Sequence, residues 1–201
     1  MKVLMVNTSE EAFGQLHEAM QICREGLIEN GIDVEDVWLG SNVIHPCTSC
    51  GKCIKRRKCL FDGVVNEIAD KSESFNGLIV GADVLFGEIG KQCIDFLNCL
   101  FRSANEKYVG KVGAVILSSR KNNTESAYQT LNAYFSASCM PVVTGRYWNT
   151  YCLREVGKGT QEMRQLAQNM SWLVKCVGEG KKNGIENPCI PDKLDEFMRG
   201  R

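Results

Sequence analysis

Four thiols sit within one short stretch, Cys47-Thr-Ser-Cys50-Gly-Lys-Cys53-Ile-Lys-Arg-Arg-Lys-Cys59, spaced C-x2-C-x2-C-x5-C. Thiolates at intervals of three can wrap one face of an iron–sulfur cubane, and a fourth slightly farther along can close it. Zinc is the second reading, although its structural sites more often use two C-x2-C pairs separated by about a dozen residues or more. Unligated thiols on a loop are the third, set against the oxidation liability of four exposed thiols so close together. Gly51 permits a tight backbone and leaves amides free to reach ligand sulfurs. Lys52, Lys55, Arg56, Arg57 and Lys58 would offset the negative charge of a cluster held by four thiolates, or else form a solvated loop tip. His45, just before Pro46-Cys47, is either a donor to a cluster sulfur or an incidental loop residue.

The rest of the chain must carry that loop. Its 201 residues suffice for one domain with a core that needs no disulfide staples, and 44% hydrophobic with 24% charged residues is ordinary for a soluble protein. Lys+Arg and Asp+Glu both number 24, so the formal net charge is zero, which argues against general nucleic-acid or membrane-surface binding. No apolar run approaches the ~20 residues of a membrane span, and the start MKVLMVNTSEE lacks the long apolar region of a signal peptide. A cytoplasmic location is the expectation. Eleven cysteines cannot all pair, and a reducing cytosol disfavours structural disulfides. Outside the cluster, Cys93, Cys99, Cys139, Cys152, Cys176 and Cys189 are expected to be small buried hydrophobes. No Ser-His-Asp arrangement and no P-loop is present.

Hydrophobic periodicity predicts alternating strands and helices. Lys2–Val6 reads as a buried strand. Phe13, Leu16, Met20, Cys23 and Leu27 recur at helical spacing, with His17 on the exposed side and Asn30-Gly31 as the stop. Ile32–Leu39 alternates like an edge strand. The cysteine loop follows, then a helix from about Asp62 to Ser74. Gly77–Val84 and Val112–Leu117 are continuous apolar runs, as central strands require. Helices are expected at Lys91–Arg102, Thr124–Ser138 and Gln161–Val177, with Met170 and Trp172 packing on the last, and a fifth strand at Met140–Val143. Such alternation implies right-handed crossovers. The fold class is α/β: a flavodoxin-like three-layer sandwich, a five-stranded parallel sheet of order 2-1-3-4-5 with helices on both faces. The domain is expected to span 1–177, with the cysteine-rich loop at 45–60. Residues 178–201 form a C-terminal tail.

Thr8-Ser9 after the first strand, the C-x2-C-x2-C-x5-C loop, and GADVLFGEIGKQCIDFLNCLF after the third strand together resemble the iron–sulfur flavoprotein family. That family lies within the flavodoxin-like NAD(P)H-dependent FMN reductases. The segments MPVVTGRYW and GTQEMRQLAQNMSWLVK are similar to its C-terminal part, so the resemblance covers most of 1–177. It implies FMN at the carboxyl ends of the strands and a 4Fe-4S cluster on Cys47, Cys50, Cys53 and Cys59. It also implies NAD(P)H as a reductant.

A doubly wound sheet binds its ligand where the strand order reverses, and three loops meet there. The first, Asn7–Leu16, would cradle the FMN phosphate. Where the family reads something like G-S-P-R-x-x-x-N-T, this chain keeps Ser9, has Glu10 and Glu11, and places Gln15-Leu16 for Asn-Thr. At ~6 Å and an effective dielectric of ~20, each carboxylate–phosphate unit pair costs about 2–3 kcal/mol before screening. Two acidic residues favouring a helix N-terminus is the plainer account of them. The second loop, Ala82-Asp83-Val84-Leu85-Phe86-Gly87, resembles the family's S/A-P-V-Y-F/W-G, which wraps the isoalloxazine. Asp83 replaces Pro, Leu85 replaces an aromatic, and Phe86 is either a flavin contact or a core residue. In the third, Ser118-Ser119-Arg120-Lys121-Asn122-Asn123, Arg120 would stabilise charge on the reduced ring or else sit solvated.

The expected function is therefore an FMN- and iron–sulfur-dependent oxidoreductase exchanging electrons with a small-molecule or ferredoxin-like partner. The alternative is a non-enzymatic flavodoxin-like protein that has lost FMN and keeps a metal-binding or redox-sensing cysteine loop. The resemblance also implies a homodimer or homotetramer. The breadth of apolar residues on the fourth-strand-side helix (Ile94, Phe96, Leu97, Leu100, Phe101) points the same way.

Overall fold

Val3 and Met5 face one side of the first strand and Leu4 and Val6 the other, and all four are fully buried. A strand apolar on both faces has to lie inside a covered sheet. The computed structural model describes residues 1–41, 43–61, 63–121 and 123–189. In it β1 (Lys2–Asn7) is flanked by β2 (Asp33–Trp38) and β3 (Gly77–Leu85), both parallel to it. β5 (Val112–Ser119) pairs with β3, and β6 (Thr150–Cys152) closes the far edge. The two-residue β4 (Glu88–Ile89) folds back antiparallel on the end of β3. Without that hairpin arm, the order β2-β1-β3-β5-β6 is the expected five-stranded parallel arrangement.

α1 (Gln15–Glu29) and α6 (Val156–Lys182) cover one face. α3 (Gly63–Asp70), α4 (Lys91–Ala104) and α5 (Glu125–Ala137) cover the other. α1 buries Leu16, Met20, Cys23 and Leu27 as the spacing predicts and stops at Asn30-Gly31, where Gly31 takes φ +72°. Gly26 lets α1 and α6 approach closely: a Cβ there would come within 2.8 Å of the Ala167 Cβ. Among the described residues no helix is long and apolar enough to cross a membrane.

Several expectations change. Phe13 precedes α1 and is exposed, and Trp172 faces solvent beside a buried Met170. The apolar breadth of α4 is consumed inside the chain. Phe96, Leu97, Leu100 and Phe101 are buried against β3, β5 and α5, so this helix gives no sign of a second subunit. α6 runs on to Lys182, past the expected boundary at Val177. Of the six other cysteines, Cys93, Cys99 and Cys152 are buried, whereas Cys176 is exposed. Cys139 and Cys189 are joined as a disulfide across 50 residues of sequence, with Cα atoms 6.5 Å apart. The expected helix start at Asp62, the turn residue Asn122 and the tail from 190 onward lie outside the described residues.

The expected fifth strand at Met140–Val143 makes only a single parallel bridge, Gly113 to Val142. The chain then leaves the edge and rejoins β5 at Thr150–Cys152. The cause is a buried acid that sequence periodicity cannot flag. Glu162, on α6 and 2% exposed, accepts N–H bonds from Arg146 (2.7 Å), Tyr147 (2.7 Å) and Asn149 (3.1 Å). These bonds satisfy the amides of a loop in which Trp148 and Asn149 both adopt left-handed φ. Replacing Glu162 by Ala strands those amides and is expected to cost about 3 kcal/mol, read as a lower urea midpoint with an unchanged slope. Glu162→Gln, which keeps an acceptor without the charge, is expected to lose less.

Candidate functional site

Crossovers leave β1 and β3 toward opposite faces, so a crevice opens at their carboxyl ends. It holds a cavity of about 640 Å³, within the range of small-molecule sites. The loop after β1 contributes Thr8, Ser9, Glu10, Glu11, Phe13 and Gly14, and α1 adds Gln15, His17 and Glu18. The β3 end gives Asp83, Val84 and Leu85, and the start of α4 gives Gly90, Lys91 and Gln92. Ser118, Ser119, Arg120 and Leu153 complete it.

The first loop is held by its own polar groups. Thr8 bonds the Gly81 carbonyl through both its N–H (3.2 Å) and its hydroxyl (2.7 Å). Asn7 Oδ1 accepts from Ser9 N–H at 2.9 Å, and Ser9 Oγ accepts from Glu11 N–H at 3.1 Å. The Trp38 indole donates to the Ser9 carbonyl at 2.8 Å. Gln15 spans the crevice: its amide donates to the carbonyls of Ser119 (3.0 Å) and Tyr151 (2.8 Å). Across the cavity Ser118 Oγ donates to Asp83 Oδ1. The Tyr151 hydroxyl donates to Glu18 Oε1 at 2.6 Å. Burial, with that carboxylate beside it, pushes its pKa up to about 12.

Ser9, Gln15, Asp83, Val84, Leu85, Ser118, Ser119 and Arg120 thus gather around one cavity. Leu16 and Ala82 are fully buried in the core beneath it. Phe86 and Gly87 are the left-handed tip of the β3–β4 hairpin, with φ 55° and 86°, and Phe86 is fully exposed rather than a core residue. Glu18, Lys91, Gln92 and Leu153 are wall residues that the sequence did not mark as part of the site. Leu153 was out of reach because it follows β6, whose position depends on Glu162.

The cysteine loop lies along the same helix. Cys47, Cys50, Cys53 and Cys59 all line one small cavity of about 20 Å³, with Cys99, Arg102 and Ser103 of α4 as its wall. Among the described residues no three Cys, His, Asp or Glu side chains converge on a point suited to a single metal ion. A four-residue helix, α2 (Cys53–Arg56), occupies the loop's middle, and Ser49, Gly51 and Arg57 take left-handed φ to turn around it. The loop's end is pinned to α3: Asn66 accepts from Cys59 N–H at 2.8 Å and donates to Cys59 C=O at 2.9 Å. Arg57 pairs with Glu106 and Lys58 with Asp70. Its entry is tied to α4, where the buried Cys99 thiol donates to the His45 carbonyl at 3.2 Å. His45 itself is exposed and stacks on Phe61.

α4 is a shared wall. Gln92 lines the large cavity and donates to the Gly40 carbonyl at 2.8 Å, while Cys99 lines the small one. The two residues lie ~10 Å apart along the axis at ~1.5 Å rise per residue.

Residues 1–151 match the family described as NADPH-dependent FMN reductase. An iron–sulfur flavoprotein of Methanocaldococcus jannaschii is 26% identical over 195 residues, covering 88% of this chain and 99% of that protein. An iron–sulfur flavoprotein of Methanosarcina thermophila is 26% identical over 163 residues, 76% of this chain and 84% of that one. Among solved structures, a flavodoxin from the domain Archaea superposes with TM-score 0.61 at 15% identity, covering 87% of this chain and 99% of that chain. A flavone reductase gives 0.66 at 12%, covering 89% and 64%.

Two outcomes follow from this geometry. Asn66→Ala removes both bonds to Cys59 and is expected to speed tryptic cleavage at Arg56–Lys58, with the thermal midpoint of the domain little changed. In metal-free protein at neutral pH, iodoacetamide is expected to label the exposed Cys50 and Cys176 and spare Cys23 and Cys93, whose thiols burial pushes up to about 12. Peptide mass mapping reads that order.

Proposed function

The chain belongs to the NADPH-dependent FMN reductase family, and from that premise we propose an oxidoreductase that pairs a flavin in the large cavity with an iron–sulfur cluster on Cys47, Cys50, Cys53 and Cys59. The observation that carries the pairing is the placement of four thiols around one cavity on the same helix that walls the flavin-sized crevice. The compact C-x2-C-x2-C-x5-C spacing resembles ferredoxin-type runs and lacks the two well-separated C-x2-C pairs of a structural zinc site, so the donor set suits a cubane better than mononuclear zinc. The cavity must widen to take one.

When bound, the flavin supplies two-electron and one-electron steps and the cluster single-electron transfer. The chain's own groups position and tune. Leu85, Leu153 and Phe13 give the crevice an apolar rim. Arg120, which follows β5 and lines the crevice, would offer a positive charge to a flavin ring that gains electron density on reduction. The Ser118–Asp83 bond links the ends of β3 and β5 on the polar wall. The thiols of the small cavity, once deprotonated, hold the cluster, and Asn66 and Cys99 hold the backbone that bears them. NAD(P)H is the proposed reductant and a ferredoxin-like protein the single-electron partner. A homodimer or homotetramer is proposed on the exposed apolar rim of Phe13, Leu85, Phe86 and Leu153. Glu10 and Glu11 in the first loop, and Asp83 in the second, are the features on the side of a chain that has lost FMN.

Anaerobically purified protein is expected to show flavin absorbance and to contain iron and acid-labile sulfide. Alanine at any of the four loop cysteines is expected to remove the iron while leaving the far-UV circular dichroism intact. Iron-free protein after anaerobic reconstitution, or stoichiometric zinc, would refute the cluster. Light scattering at micromolar concentration tests assembly: a 22.4 kDa species with its cluster in place excludes the oligomer.

A further inference from the structure

The end of the large cavity where a flavin's phosphate belongs is acidic. An α-helix N-terminus at a βα turn attracts anions, and in a doubly wound sheet the α1 N-terminus is where a nucleotide phosphate sits. Here the Glu11 side chain folds back over Gly14, the residue that caps α1. A Cβ built on Gly14 would lie 2.6 Å from Glu11 Oε2. The chain's own carboxylate therefore stands over the cradle. Glu10 and Glu18 line the same cavity. Glu18 is oriented there by the Tyr151 hydroxyl at 2.6 Å. Two cations line the same cavity from other elements. Lys91 starts α4 and pairs with Asp95, and Arg120 follows β5. Of the wall residues on the β1–α1 segment, His17 alone can carry a positive charge, and its ring stacks edge-on against Phe13.

A phosphate dianion entering beside Gly14 meets the Glu11 carboxylate over the helix start and no arginine on the β1–α1 segment, so charge repulsion opposes the contacts that normally favour it. A polyol behaves oppositely. Each hydroxyl is a donor, and ionised carboxylates are acceptors only, so a free terminal hydroxyl of a ribityl chain finds partners where a phosphate finds repulsion. From this we infer that Glu11 sets ligand choice at the tail of the flavin, and that the chain binds a dephosphorylated flavin, riboflavin, at least as tightly as FMN. The inference rests on the flavin reading of the cavity and narrows it. The carboxylate over the α1 start is what does not fit a phosphate there.

The test is a set of fluorescence titrations of the flavin-stripped full chain with lumiflavin, riboflavin and FMN, at low and high salt. The wild type is expected to bind riboflavin as tightly as FMN or tighter, with FMN gaining relative to riboflavin as salt rises because the repulsion is screened. Glu11→Gln is expected to tighten FMN about tenfold and leave riboflavin within about twofold, and Glu11→Arg to favour FMN further. Circular dichroism melts confirm that the variants fold, and the wild-type ratio decides without any variant. FMN binding tenfold or more tighter than riboflavin in the wild type overturns the inference and leaves the flavin reading standing. So does an FMN-to-riboflavin ratio unmoved by Glu11→Gln. If no flavin binds, lumiflavin included, the flavin reading itself falls, and the inference falls with it.

Discussion

Parallel strands cannot be joined by tight turns, so each connection must cross a face of the sheet, and that constraint shapes everything else here. Connections from β1 and β3 depart to opposite faces, and the gap between their carboxyl ends has no helix to fill it. The 640 Å³ crevice is the remainder of that topology. Bonds from Thr8 to the Gly81 carbonyl draw the β1 and β3 ends together, and the Gln15 amide ties the start of α1 to the ends of β5 and β6. A network of short polar contacts thus fixes the mouth that the hydrophobic layers leave open.

The cysteine loop uses a different economy. It buries little apolar surface of its own, so its shape is set by a few directional bonds. The paired bonds between Asn66 and Cys59 define position and orientation together, which a single bond does not. The ion pairs Arg57–Glu106 and Lys58–Asp70 are partly exposed and contribute less, since surface pairs are worth about 0–1 kcal/mol. Opposite-charge pairing still holds the Asp70 carboxyl below the usual range, with the Lys58 hydrogen bond its largest cause. The loop lies outside the sheet, so a ligand larger than its present cavity would displace the loop rather than the strands.

α4 joins the two regions. Its buried face belongs to the core, its first turn to the crevice and its later turns to the cysteine cavity. Phe96, Leu97, Leu100 and Phe101 fill the space between sheet and helix, so the separation of the two cavities is as rigid as the core itself.

Periodicity alone located β1, β3 and β5, because burial of a parallel sheet on both faces leaves an unmistakable apolar run; it also located β2, by the alternation of an edge strand, and the body of every long helix. The thiol spacing alone marked the loop, since ligand chemistry is local in sequence. The positions of β6, Leu153 and the 145–149 loop were decided by tertiary structure. They depend on Glu162, an acid that looks solvent-facing until α6 docks and aims its carboxylate at three amides. Asn66, Cys99 and Gln92 are likewise ordinary helix residues in sequence and acquire roles only when α3 and α4 pack beside the loop. Glu11 stands between the two cases. Its charge was legible beside an expected phosphate, but only the folded chain places it over Gly14, because a side chain's direction at a helix start depends on the path of the loop before it.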